Sequence, residues 1–104
     1  MSMVHVVAVI TAKPGQRDAI LAAFNDNVPA VKAEDGCIEY GAAVDADGVG
    51  GWQARFGDDT FVVVEKWASV DALKAHAKSP HMADYAAKVK DMIADRAVHV
   101  LSPI

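Results

Sequence analysis

From Val4 to Ala12 the chain is apolar at both parities, Val4, Val6, Ala8 and Ile10 alternating with Val7 and Val9. β-branched residues dominate, which predicts a strand covered on both faces. Lys13-Pro14-Gly15 ends it. Ile20, Phe24, Val28 and Val31 then recur at helical spacing, with Ala23 alongside and Arg17, Asp18, Asn25 and Lys32 elsewhere. This predicts an amphipathic helix over about 16–32. Asp35-Gly36 breaks the helix, and residues 37–44 read as a second strand. Residues 45–59 are polar and Gly-rich, with Trp52 and Phe56 inside, and part of this stretch is expected to pair as an extended hairpin arm. Residues 60–67 form the clearest strand. Ser69 is placed to cap a short helix with Val70, Leu73 and Ala77 on one face. Ser79-Pro80 restarts the helix, Ser as cap and Pro at the first helical position. Met82, Tyr85, Ala86, Val89 and Ile93 give its buried stripe, and residues 97–101 make a last strand stopped by Pro103.

The order strand, helix, strand, strand, helix pair, strand is the split βαβ plan, a ferredoxin-like α+β fold. It puts one antiparallel sheet under helices on a single face, with residues 1–104 as one domain. The double apolar parity then needs a second cover. Each such side chain is worth roughly 1.5–3 kcal/mol when buried. A partner sheet supplies the cover, so the sequence predicts a homodimer packed through its sheet face.

Charge narrows the partners. With 14 acidic and 10 basic residues over 104, the formal charge is −4 and no basic cluster occurs. Nucleic acid and anionic membrane surfaces are therefore disfavoured. The longest apolar run is far short of the ~20 residues of a membrane span. The first residues lack a basic leader, and the single cysteine suits a reducing compartment, so a cytoplasmic location is expected.

Cofactor motifs are missing. Gly48-Val49-Gly50-Gly51 is neither a dinucleotide fingerprint nor a phosphate loop, and the serines are caps or terminal residues. Cys37, at the start of a strand, reads as a packed small hydrophobe. His76 and His81 straddle the Ser79-Pro80 break without a third ligand at metal spacing. No metal and no cofactor are expected. What remains is a polar and aromatic set. Phe61, Val63, Glu65 and Trp67 share one strand face, Glu65 and Trp67 about 6.6 Å apart along it. His76, roughly 10 Å along the following helix, borders the apolar face three residues after Leu73. There it fits a general base, and equally a structural hydrogen bond to a nearby carbonyl. Trp67 also reads as core, and Glu65 as a partner for a helix N-terminus or a basic side chain. Tyr40 either points its hydroxyl into the pocket or closes the sheet edge. His5, by parity with Val7 and Val9, is a candidate lining residue, and His99 reads as surface or interface.

Three stretches carry a resemblance: 34–40 (Glu-Asp-Gly-Cys-Ile-Glu-Tyr), 64–69 (Val-Glu-Lys-Trp-Ala-Ser) and 73–82 (Leu-Lys-Ala-His-Ala-Lys-Ser-Pro-His-Met). In order and spacing they resemble the antibiotic biosynthesis monooxygenase family, and most closely its quinol-oxidising branch. The likeness runs nearly end to end. It implies a dimeric α+β barrel with pockets between each sheet and its own helices, and oxygen chemistry without flavin, haem or metal. It implies a naphthoquinol-like substrate oxidised by dioxygen. Trp67, Phe61 and Tyr40 become ring walls, His76 the base and Glu65 an orienting or polarising group, with Val63, Leu73, His5 and His81 as further substrate contacts. The chain departs from other branches. Val63 and Leu73 replace the Asn and Tyr of the polyketide-tailoring branch, while Val7 and Ala86 replace the Asn and haem-ligand His of the haem-degrading branch. Two other functions remain open: isomerisation of a small phosphorylated signalling sugar derivative on the same fold, and non-catalytic binding of quinones or other small hydrophobes. The first wants a phosphate cradle, and only Lys74 and Lys78 flank His76 in sequence.

Overall fold

The computed structural model describes residues 2–104; Met1, the first residue of the expected single domain, lies outside the described residues. Four strands, β1 (Val4–Ala12), β2 (Cys37–Ala43), β3 (Thr60–Trp67) and β4 (Ile93–Leu101), form one antiparallel sheet in the order β2-β3-β1-β4. Helices α1 (Arg17–Lys32), α2 (Val70–Ala77) and α3 (Pro80–Val89) complete the expected split βαβ arrangement. None of them is long and apolar enough to cross a membrane.

The alternation of β1 explains the layering. Val4, Val6, Ala8, Ile10 and Ala12 are buried beneath the helices, while His5, Val7, Val9 and Thr11 point to the other side and stay half-exposed. Antiparallel register puts Trp67, Glu65, Val63 and Phe61 opposite Val4, Val6, Ala8 and Ile10 on the helix side. Among the described residues, no helix or strand covers the second face, with Val7, Val9, Val62 and Val64. Helix α1 anchors the core with Ile20, Phe24 and Val31. Its fit is mainly to β2 and α3, so β4 is left with little above it. Val98 and Val100, on the helix side of β4 by register, remain 46% and 50% exposed.

Ser69 caps α2 as expected, accepting the Ala72 N–H at 3.1 Å. Ser79 differs: its hydroxyl donates back to the His76 carbonyl at 2.8 Å, tying off the end of α2, while Pro80 opens α3. Two boundaries move. Helix α3 ends at Val89, and a single 3-10 turn, Lys90–Met92, passes the chain into β4 at Ile93. Ile93 therefore opens the last strand rather than closing the helical stripe, because Lys13 N–H takes the Met92 carbonyl at 2.8 Å and draws the turn onto the end of β1. Residues 45–59 form no hairpin arm. The Phe56 and Gly57 N–H groups, which a ladder would use, donate instead to the Asp45 carboxylate at 3.1 and 2.9 Å. Those bonds hold the Asp45 carboxyl below its ordinary range. Arg55 adds ion pairs to Asp45 and Asp47 at 3.9 and 3.4 Å.

Candidate active site

Between the sheet and the two later helices lies a cavity of about 580 Å³. Its floor is Val6, Ala8, Ile10 and Val63, and its roof comes from Leu73, Met82, Tyr85 and Ala86. Most of this lining is apolar, as expected of a small-molecule site with a few placed polar groups. The polar groups gather around Glu65, Tyr40 and His76. Lys90 and Arg96 lie where the lining runs onto β4.

Glu65 follows from strand parity: once Phe61, Val63 and Trp67 face inward, so does it. It is only 7% exposed. Trp67 Nε1–H donates to its Oε1 at 2.8 Å, as a buried carboxylate and a buried indole both require. Burial pushes the Glu65 carboxyl above its ordinary range, with the Trp67 hydrogen bond and nearby His76 opposing that rise. Tyr40 pairs with Glu65 across β2 and β3 and stacks on Phe24 at 5.1 Å between centroids. Burial, and then Glu65, raise its phenol well above the ordinary value. Burial likewise pushes Tyr85 up to about 12. Both phenols are neutral donors at physiological pH.

His76 is buried over the ring of Trp67, with centroids 4.6 Å apart, and meets Tyr40 edge-on at 5.4 Å. Its Nδ1 lies 2.8 Å from Glu34 Oε2. A carboxylate only accepts, so Nδ1 carries the hydrogen, and in a neutral ring the lone pair then falls on Nε2. The same Glu34 oxygen lies 3.3 Å from His81 Nε2. His81 Nδ1 in turn lies 3.2 Å from Asn27 Oδ1, and Asn27 Nδ2 donates to the sulfur of Met82 at 3.4 Å. Among the two readings open for His76, the carbonyl partner gives way to a carboxylate partner.

The residues nominated from sequence separate into groups. Tyr40, Val63, Glu65, Leu73 and His76 line the cavity. Trp67 and Phe61 are fully buried behind it: Trp67 supports Glu65 and His76, and Phe61 packs edge-on to Phe24 at 6.1 Å. His81 lies beyond Glu34, on a separate hollow of about 170 Å³ with Asn27, Asp26, Asp84 and Lys88. His5 is a correction. Its register partners are Lys66 and Leu101, and strand alternation turns it to the face away from the cavity. Sequence reasoning missed Glu34, although it stands in the quoted stretch 34–40; its link to His76 spans 42 residues and has no local periodicity. It also missed Arg96, which reaches the lining only because β4 begins early. Cys37 stays half-buried and free, its thiol pushed up first by burial and then by Glu34 and Glu65. It is a poor nucleophile there.

Comparison with known proteins decides the family: the pattern described as antibiotic biosynthesis monooxygenase matches residues 3–88. The chain belongs to that family. Probable quinol monooxygenase YgiN of Escherichia coli K12 is 36% identical over 103 residues, spanning 97% of this chain and 98% of that protein. The structure of Rv0793 from Mycobacterium tuberculosis superposes with a TM-score of 0.81 at 33% identity, over 99% of this chain and 96% of that one. PA3566 from Pseudomonas aeruginosa shares the fold, with a TM-score of 0.83 at 22% identity over 100% and 96% of the chains. Antibiotic biosynthesis monooxygenase membership places the chain among monooxygenases, and so among oxidoreductases.

Proposed function

We propose that this chain is a cofactor-independent monooxygenase that oxidises a naphthoquinol-like aromatic to a quinone with dioxygen, and that it acts as a homodimer joined through the open sheet face. The observation that carries the reading is the 2.8 Å His76–Glu34 hydrogen bond on the wall of an apolar cavity. It leaves His76 Nε2 free to take a proton from a quinol hydroxyl. The resulting anion is electron-rich enough to reduce dioxygen directly. The atoms balance when quinol and dioxygen give a hydroxylated quinone and water, one oxygen atom going to each product. The walls around the reacting ring are mostly apolar. Tyr40 and Val63 flank it, and Glu65 polarises or orients it. The name of the Escherichia coli relative supports the quinol class.

The test is oxygen uptake by metal-stripped protein given chemically reduced naphthoquinol, beside a protein-free blank because quinols autoxidise. Uptake well above the blank is expected, and His76→Ala reduces it by about 10²–10⁴-fold while circular dichroism stays unchanged. Uptake equal to the blank across several quinols overturns the reading. Tight quinone binding in that case identifies a binding protein.

A further inference from the structure

We infer that Arg96 and Lys90 form an anion subsite at the β4 end of the cavity, and that the substrate is a quinol whose aromatic body carries a carboxylate. This rests on the reading of the cavity as a quinol site. The charged groups of the lining are sorted by place. Glu65, its one acidic residue among the described residues, pairs with Val6 and lies beside Tyr40 and near His76. Arg96 stands opposite Ile10, four residues further along β1 and so roughly 13 Å from Val6 by strand rise. Lys90 begins the turn whose Met92 carbonyl accepts the Lys13 N–H, at that same end of β1.

An irregularity in β4 aims Arg96. Ala12 pairs with Ile93 and Thr11 with Asp95, so Ala94 is the extra residue of a bulge. Ile93 and Arg96 therefore share the cavity side although three residues apart, while Asp95 turns to the other face with Thr11. Unbroken alternation from Ile93 would put Arg96 on the open sheet face. Among the described residues neither Arg96 nor Lys90 forms an ion pair. Burial raises the Glu65 carboxyl and the Tyr85 phenol, and at both the Arg96 charge opposes that rise, so its field extends into the cavity. A guanidinium holds a carboxylate through two parallel N–H donors, and Lys90 adds a point charge. Between these cations and Glu65 the floor is Val6, Ala8, Ile10 and Val63, which suits an aromatic body. A carboxylate brings a single charge to this mostly apolar space, whereas a phosphate brings more and costs more to dehydrate. A ring with its hydroxyl at His76 and its acid at Arg96 uses both ends of the site.

Isothermal titration calorimetry of the whole chain with 2-naphthol, 6-hydroxy-2-naphthoate and 3-(6-hydroxy-2-naphthyl)propanoate tests this without turnover. The two acids carry the carboxylate at different reaches from the ring. At least one is expected to bind about tenfold more tightly than the naphthol at low salt, the scale of a hydrogen bond to a charged group. Added salt shrinks that advantage. Arg96→Gln, on an exposed side chain, is expected to abolish the advantage with circular dichroism unchanged. Arg96→Lys keeps part of it, since the ammonium retains the charge without the planar fork. Equal binding of acids and naphthol by the unaltered protein overturns the subsite, as does an acid advantage that survives with both Arg96→Gln and Lys90→Gln in place. Quinol-driven oxygen uptake above the blank leaves the reading of the site standing in either case. Tighter binding of 2-naphthyl phosphate than of both acids overturns the carboxylate. Failure of every probe to bind, with oxygen uptake at the blank, overturns site and subsite together.

Discussion

Glu65 shows how one buried carboxyl couples folding to pH. Its native value lies above the ordinary 4.5 because burial penalises the anion more than Trp67 and His76 favour it. The folded state thus binds this proton more tightly than the unfolded chain, so the stabilisation is full in acid and is lost as pH rises through the raised value. Asp45 runs the opposite way, its carboxyl held low by the Gly57 and Phe56 N–H groups. Comparison with Glu65→Gln isolates the first effect, since Gln still offers Trp67 an oxygen. Urea midpoints taken across the acidic range are expected to show the variant gaining on the unaltered protein as pH rises, then levelling. A difference that does not vary with pH would place Glu65 in an unperturbed environment. At this scale the sequence was legible for Glu65 and Val63, because strand parity fixes where they point; for Tyr40 it leaves the pocket and the sheet edge both open, and the register opposite Glu65 decides for the pocket. Parity groups His5 with Val7 and Val9, and the register shows that parity to be the open face rather than the cavity side. Glu34 was invisible as a partner of His76, since only the close approach of α2 to the turn at Gly36 brings them together.

At Gly36, between α1 and β2, the turn comes up against α2. Its φ is +82°, and an added Cβ would stand 2.6 Å from the Ala72 Cβ of α2. Its carbonyl accepts the Ala68 N–H at 2.8 Å, joining the start of β2 to the end of β3. Gly36→Ala combines left-handed backbone strain with a clash between two elements, and is expected to cost about 2 kcal/mol or more. For a domain of this size that lowers the thermal midpoint by about 10 °C. A melting curve within a degree or two of the unaltered protein would mean that α2 yields freely. Element types were readable because their periods are long and clean. The end of α3 was not: Ile93 continues the helical spacing of Met82, Tyr85, Ala86 and Val89, and only the Lys13 bond to Met92 turns the chain there into β4. Residues 45–59 were equally opaque, since one carboxylate consumes donors that a hairpin pattern presumes free.

For the whole molecule, the open sheet face is an apolar surface that no described helix covers. Val7, Val9 and Val62 are half-exposed and Val64 is 37% exposed, all on the side without helices. A second sheet laid against it is the proposed cover. Val64→Glu sets a charge at the centre of that contact, and burying it there costs far more than leaving it in water. Size-exclusion chromatography with light scattering is expected to show a dimer becoming a monomer. An unchanged mass in the variant would remove the sheet-to-sheet interface. The doubly apolar strands were the sequence signal for it, whereas the partial exposure of β4 on the helix side was not foreseen. The two tryptophans give the molecule a further property. Trp52 is 83% exposed on the 45–59 segment, while Trp67 is fully buried with its ring 4.6 Å from His76. Their emission divides into a red, easily quenched fraction and a blue, shielded one, and only the shielded fraction adjoins the cavity. The chain thus carries an optical gauge of what enters its site, with its own internal reference.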